Sequence, residues 1–378
     1  MKLLPLLTAL FFTSTIHAQQ LTKTQARKDL EFLIENIKRY NPALSMYHPE
    51  FDELAQSVVA EIEADPPSLF EHYRNSCRIA AFAGEGHFSV NDWESPIQKG
   101  LLDNSFTYLP LRVKLVADKL YVWKDVSNEQ VVPTGSQLLA INGLETDQIL
   151  NQLLAVMPSD GVIESYAIRK IEDIFVWLYY LHIERPEAFE LRFLEPAGTE
   201  KTVTVQALNR GDQSANYQQY HPTKKETSPS APEGFYQLSY TDQYALLRLP
   251  SFDFRRVNKY EVKSKKMYEV LFTELKNKQV QNLVVDLRNN TGGRNEFADD
   301  MVPFILKSDN GDPYLKKTIS WEGKERTYKL PKASKLLFSG NIYVLINGKT
   351  FFRWPFSSSF LKGIRQSQRH RNRIWNPI

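Results

Sequence analysis

Apolar residues recur at helical spacing from residue 21 to about 82, change to strand spacing near Tyr108, and then mix short strands with helices up to residue 350. Leu30, Leu33, Ile34, Ile37 and Tyr40 share one helical face, and Leu54, Val58, Val59 and Ile62 share another. Asn41-Pro42 and Asp65-Pro66-Pro67 punctuate these helices, with Asp65 predicted as an N-cap and the two prolines opening the next helix, which ends near Gly84-Glu85-Gly86-His87. Strands are predicted over 109–116 and 120–123, followed by a Gly turn, a strand ending in Asn142-Gly143 and a helix over 145–157. A helical stretch reaches His182, and 189–194 with 201–207 reads as a hairpin. Residues 209–234 are polar and broken by Pro222, Pro229 and Pro232, which predicts a linker or exposed loop. A strand over 244–249, a long helix over 257–276, a strand ending at Asp286, a helix over 296–306 and a strand from Asn341 complete the pattern. Strands alternating with helices in this way predict an α/β unit with a largely parallel sheet.

The chemistry concentrates in Asn282–Leu306. Leu283-Val284-Val285 is a short apolar run ending in Asp286, and Arg288-Asn289-Asn290-Thr291-Gly292-Gly293 supplies turn residues before the helix. A strand, a Gly-Gly turn and a helix aim backbone N–H groups at one point, where an anion or oxyanion can bind. The same residues also fit an ordinary glycine turn. A phosphate-binding Walker loop is excluded, because no Gly-Lys-Ser/Thr follows. Asp286 and Arg288 read either as a catalytic acid and substrate clamp or as a pair orienting the turn. His87 reads as a structural histidine or a general base. His48, His72, His182 and His221 are scattered without metal-ligand spacing, so no metal site and no cofactor are expected.

Met1-Lys2, the apolar 3–12 run and Thr15-Ile16-His17-Ala18 predict a secretory signal over 1–18. No other segment is long and uniform enough to predict stable membrane insertion. Cys77 is the only cysteine, so the mature chain has no internal disulfide and Cys77 reads as a buried hydrophobe. Export without disulfides points to a bacterial periplasm. The net charge is +3, yet residues 353–378 carry six basic side chains and no acid, which leaves the remainder at −3. No aromatic-basic platform accompanies this tail, so no nucleic-acid partner is expected.

The 282–306 segment, together with Asn341–Thr350 (NIYVLINGKT), resembles the tail-specific (C-terminal processing) serine protease family, of tricorn-core and interphotoreceptor retinoid-binding-protein type. The resemblance implies an α/β fold with a ClpP/crotonase-like core, an N-terminal helical region and a PDZ-like module. It divides the chain into a signal (1–18), the helical region (19–100), the PDZ-like module (105–165), a connecting helix, hairpin and linker (166–235), an incomplete protease core (236–352) and a basic tail (353–378). Leu139-Ala140-Ile141-Asn142-Gly143 carries the PDZ-like resemblance, which implies a peptide groove at Gly135, Ser136, Gln137 and Leu138. Gly292 and Gly293 become oxyanion-hole candidates, and the Gly84–Phe88 segment makes His87 the candidate base, unless a downstream lysine takes that role. Where the family places Ser-Ala-Gly after Thr350-Phe351, this chain reads Phe352-Arg353-Trp354, so the nucleophilic serine is absent.

One extra T in the codons for Phe351-Phe352 explains the mismatch. The restored frame permits Phe-Ser-x-Gly there, and Val-Ile-Gly-Thr-Glu-Ser-Gly across Arg369–Trp375, which resembles a downstream family segment. The basic tail is then out-of-frame translation, and ending at Ile378 is expected to leave the core sheet with an unpaired edge. The expected function is endoproteolysis of a polypeptide substrate through a serine acyl-enzyme, lost in the chain as encoded. An exported peptide-binding protein is the alternative, and acyl-thioester chemistry a third reading without a CoA-binding feature. The oligomeric state is open.

Overall fold

A computed structural model describes residues 21–42, 44–86, 88–90, 97, 100, 104–161, 163–222, 234–306, 315–320, 322, 324–328 and 331–350. The first unit is helical: α1 (Lys23–Tyr40), α2 (Leu44–Tyr47), α3 (Phe51–Ala64) and α4 (Leu69–Phe82). Leu30, Ile34 and Ile37 of α1 pack with Val58 and Ile62 of α3 and Ile79 of α4. The α4 cap is Ser68 rather than Asp65. Ser68 Oγ accepts from Glu71 N at 3.3 Å while Glu71 Oε2 accepts from Ser68 N at 2.7 Å. Asp65 does not cap, because the helix begins only at Leu69 and the Ser68 N–H that an N-cap at Asp65 would use is given to Glu71.

The second unit is a six-stranded antiparallel sheet in the order β1-β2-β3-β5-β6, with β4 on β3. Its strands are β1 (Leu111–Val116), β2 (Lys119–Asp125), β3 (Gln137–Ile141), β4 (Leu144–Glu145), β5 (Ala188–Leu194) and β6 (Glu200–Gln206). Helices α5 (Thr146–Leu154) and α6 (Ser165–His182) cover it, and Ile149, Phe175, Leu178, Leu191 and Phe193 share its core. The helix and hairpin read as connecting elements over 166–235 therefore belong to this same sheet, since β5 pairs directly with β3.

The predicted polar linker is a correction as well. Residues Arg210–Tyr220 form α7, capped by Asn209 Oδ1 accepting from Asp212 N at 2.9 Å. Polar contacts hold α7 in place: Gln213 Nε2 donates to Leu208 O and Asn216 Nδ2 to Val126 O, each at 3.0 Å. With Asn216 as its buried residue, the helix leaves no apolar stripe for periodicity to detect. Residues 223–233 of the predicted linker lie outside the described residues.

The third unit carries a four-stranded sheet in the order β12-β9-β8-β7. β8 (Ala245–Arg248), β9 (Asn282–Asp286) and β12 (Asn341–Leu345) run parallel, and β7 (Gln237–Tyr240) pairs antiparallel at the edge. Leu247, Leu283 and Val285 pack against Tyr268, Leu271 and Phe272. The predicted long helix is two, α8 (Phe254–Lys259) and α9 (Ser264–Asn277), because the chain turns at Glu261 with φ +50°. The 296–306 helix likewise divides into α10 (Glu296–Asp299) and α11 (Val302–Ile305), where Pro303 lacks the N–H that would continue the earlier turn. β10 (Leu315–Ile319) and β11 (Glu325–Tyr328) form a separate two-stranded sheet.

Candidate active site

The carboxyl ends of β8, β9 and β12 lie side by side, the edge of a parallel sheet where ligands bind. Buried Asn290 ties two of these ends together. Its Nδ2 donates to Leu249 O at 2.8 Å, and its Oδ1 accepts from Gly292 N at 2.8 Å. The glycine turn then docks on the β8 extension: Phe252 N donates to Gly292 O at 3.0 Å and Arg294 N to Phe252 O at 2.9 Å. Gly293 has φ +131°, and a Cβ there would lie 2.1 Å from Phe252 O, so only glycine fits.

The two candidate oxyanion donors differ. The Gly292 N–H is committed to Asn290, whereas the Gly293 N–H has no acceptor among the described residues. Asp286 and Arg288 form a closed fork, with Arg288 Nε and Nη2 donating to the Asp286 carboxylate at 2.9 and 2.8 Å and Arg288 N at 3.0 Å. Burial pushes the Asp286 carboxyl up, but the Arg288 guanidinium and backbone N–H outweigh it and hold the group below its ordinary value. The pair therefore orients the turn.

The third strand end adds residues that sequence reading did not single out. Asn289 N donates to Asn347 Oδ1 at 3.0 Å and Asn347 Nδ2 donates back to Asn289 Oδ1 at 2.9 Å, a reciprocal amide pair between two turns. Their signal was present as Asn residues at the ends of two apolar runs, but nothing in either run names its partner. Thr350 Oγ1 donates to Leu287 O at 2.9 Å and accepts from Asn347 N at 3.0 Å, so this hydroxyl is structural. The turn also packs against α6: a Cβ on Gly348 would lie 2.5 Å from Ser165 O, and Lys349 Nζ pairs with Asp173 at 2.6 Å.

His87 and the nucleophile segment from Phe351 onward lie outside the described residues. The flanks of His87 are fixed, since Gly86 N donates to Asp160 Oδ1 at 2.8 Å and Gly161 N to Gly84 O at 2.9 Å. Gly135, Ser136, Gln137 and Leu138 are not brought to this site and lie at and just before the start of β3 in the second sheet. β3 is an interior strand, paired through Gln137 with Tyr121 of β2 and through Gln137 and Leu138 with Leu194 and Phe193 of β5. Gly135 N is spent on Val122 O at 2.7 Å, and Ser136 is fully buried. Among the described residues no helix is long and apolar enough to cross a membrane, and no three metal-binding side chains cluster.

Residues 243–351 match the family model of peptidase family S41. The fold is similar to mature CPAF, at 14% identity over 87% of this chain and 80% of that chain with a TM-score of 0.53. It is similar also to mature CPAF complexed with lactacystin, at 13% identity over 87% and 81% with a TM-score of 0.52. The photosystem II D1 C-terminal processing protease aligns with 86% of this chain and 75% of its own at 11% identity, with a TM-score of 0.36. No curated protein matches the chain. The match spans all three parallel strands and the glycine turn between them, and over that segment the chain is similar to peptidase family S41.

Proposed function

We propose that the chain is an exported serine-type peptidase of the tail-specific type that keeps its oxyanion turn and has lost its nucleophile, so that it is inactive as encoded. One observation carries this reading. The strand-end scaffold is intact through Thr350, and the next residues are Phe351-Phe352-Arg353-Trp354-Pro355, none of which can supply an alkoxide or thiolate. In the intact chemistry a serine hydroxyl adds to the scissile carbonyl as the base takes its proton. The Gly293 N–H stabilises the oxyanion, the base returns the proton to the leaving amine, and water then releases the acyl group. His87 or a downstream lysine is the base. The 236–350 unit is read as the ClpP/crotonase-like core and the sheet from residue 111 to 206 as the PDZ-like module. The apolar 3–12 run supports export, with the periplasm as destination.

The missing nucleophile also favours a second reading, an exported peptide-binding protein without turnover. A fluorophosphonate probe and a casein-like substrate separate the cases. The chain as encoded is expected to show neither labelling nor cleavage, and a frame-restored variant to show both. Labelling at Ser357, Ser358 or Ser359 of the encoded chain overturns the lost-nucleophile reading. An inactive, folded variant that carries the serine leaves the peptide-binding reading in its place.

A further inference from the structure

A cavity of about 290 Å³ lies between α4, Gly86, the 88–90 segment, residues 156–158 and α6. Phe88, Met157, Trp177 and Leu181 give it apolar walls. His182, the last residue of α6, is a polar group in this lining. It is 3% exposed, stacks on Tyr73 at 5.6 Å, and its Nδ1 is buried with no hydrogen-bond partner among the described residues. Burial, reinforced by the Arg74 and Arg185 charges, pushes the imidazole down to about 4. The ring is therefore neutral at pH 7 and presents one donor nitrogen and one acceptor nitrogen. A buried polar atom without a partner is costly, so a polar group that reached this ring would relieve a standing penalty.

Size and position narrow the occupant. The volume lies at the floor of the roughly 300–1,000 Å³ typical of small-molecule sites, which suits one large side chain. On α6, Ser165 and Arg169 touch Gly348 of the strand-end turn, while Tyr166 and Lys170, one residue further round the helix, line the cavity. A polypeptide lying across the strand ends can therefore drop a side chain into it.

We propose that this cavity is a side-chain pocket for one large apolar residue of a bound polypeptide, and that it prefers tyrosine, whose phenol offers His182 both a donor and an acceptor. The inference rests on the peptidase or peptide-binding reading only for the source of that side chain.

The test uses the full chain and acetyl-Ala-Ala-X-Ala-Ala-amide peptides with X as Tyr, Phe, Ala or Asp, at up to millimolar concentration. Affinity is read by calorimetry and the His182 ring nitrogens by NMR. The Tyr peptide is expected to bind several-fold more tightly than the Phe peptide and at least tenfold more tightly than the Ala and Asp peptides, and to move the His182 resonances. His182→Phe should abolish the Tyr-over-Phe preference while keeping Phe binding. Met157→Trp, which fills the cavity and leaves His182 alone, should weaken both, with circular dichroism confirming the fold of each variant.

Equal binding of the Ala and Tyr peptides, unmoved His182 resonances, or a folded Met157→Trp variant with unchanged affinities overturns the pocket. Free tyrosine amide binding as tightly as the peptide overturns the polypeptide as occupant. These measurements need no turnover. An inactive frame-restored protein therefore sinks the peptidase reading alone, and an active one without side-chain preference sinks the pocket alone.

Discussion

Lowering the pH from 7 to 5 should cost this protein stability through one imidazole. His182 is pushed down to about 4 in the folded chain, whereas an unfolded histidine titrates near 6.5. The unfolded state therefore binds more protons between these values, and the stabilisation is complete above about 6.5 and lost as the pH falls through about 4. At about 1.4 kcal/mol for each pH unit the full loss is ~3 kcal/mol, of which ~2 kcal/mol falls between 6.5 and 5. His182 is almost fully enclosed, so solvent screening removes little of this. His72 is also lowered, by burial against the opposing pull of Asp29, and adds in the same direction. Asp286 is held below its ordinary value, so its contribution is present above about 3.8 and is lost only at lower pH. Urea unfolding at pH 7, 6 and 5 and constant ionic strength, followed by fluorescence, measures the slope. The His182→Phe variant should be flatter than the parent by ~2 kcal/mol over this range. Parallel curves for the two proteins would refute the argument.

Other perturbations should separate what holds the site from what merely decorates it. Asn290→Ala strands Leu249 O and the Gly292 N–H in a buried place and should cost roughly 2–4 kcal/mol in denaturant unfolding. Gly293→Ala should cost roughly 1–3 kcal/mol from its backbone conformation alone, with the Phe252 carbonyl clash added, read as a lower melting temperature. Glu172→Ala removes the acceptor of Leu115 N, Lys114 and Arg169, and should cost roughly 3–5 kcal/mol by the same assay. Lys349→Ala should change stability by less than about 1 kcal/mol, because its pair with Asp173 is about one-third exposed on each side.

The parts of the molecule legible in the sequence are those that bury apolar residues at a fixed period. β9 ends where Asp286 interrupts its apolar run, and α1 buries Ala26, Leu30, Ile34 and Ile37 in step. α7 was invisible because its contacts are amide-to-carbonyl bonds from Gln213 and Asn216, which leave no apolar trace. The place of Gly135–Leu138 within the sheet is not legible, for a different reason. Alternation shows which face of a strand is buried but carries no information about lateral neighbours, so nothing in the sequence places β3 between β2 and β5. The glycine turn is legible as Gly292-Gly293, but the difference between its two N–H groups depends on the Asn290 side chain two residues before Gly292. His182 appeared as one of several scattered histidines, since enclosure by α4 and α6 is a tertiary property.

The Asn289–Asn347 pair joins residues 58 positions apart in the chain. Closing a loop of that length costs about 3–4 kcal/mol of chain entropy beyond a fixed offset, and nothing local repays it until β12 has docked along β9. Contacts of such wide separation form late in folding. During synthesis the glycine turn stays without its cross-strand amide partner until the segment through Asn347 has left the ribosome and settled on the sheet. A chain built on this plan thus completes its glycine turn only once β12 has docked along β9.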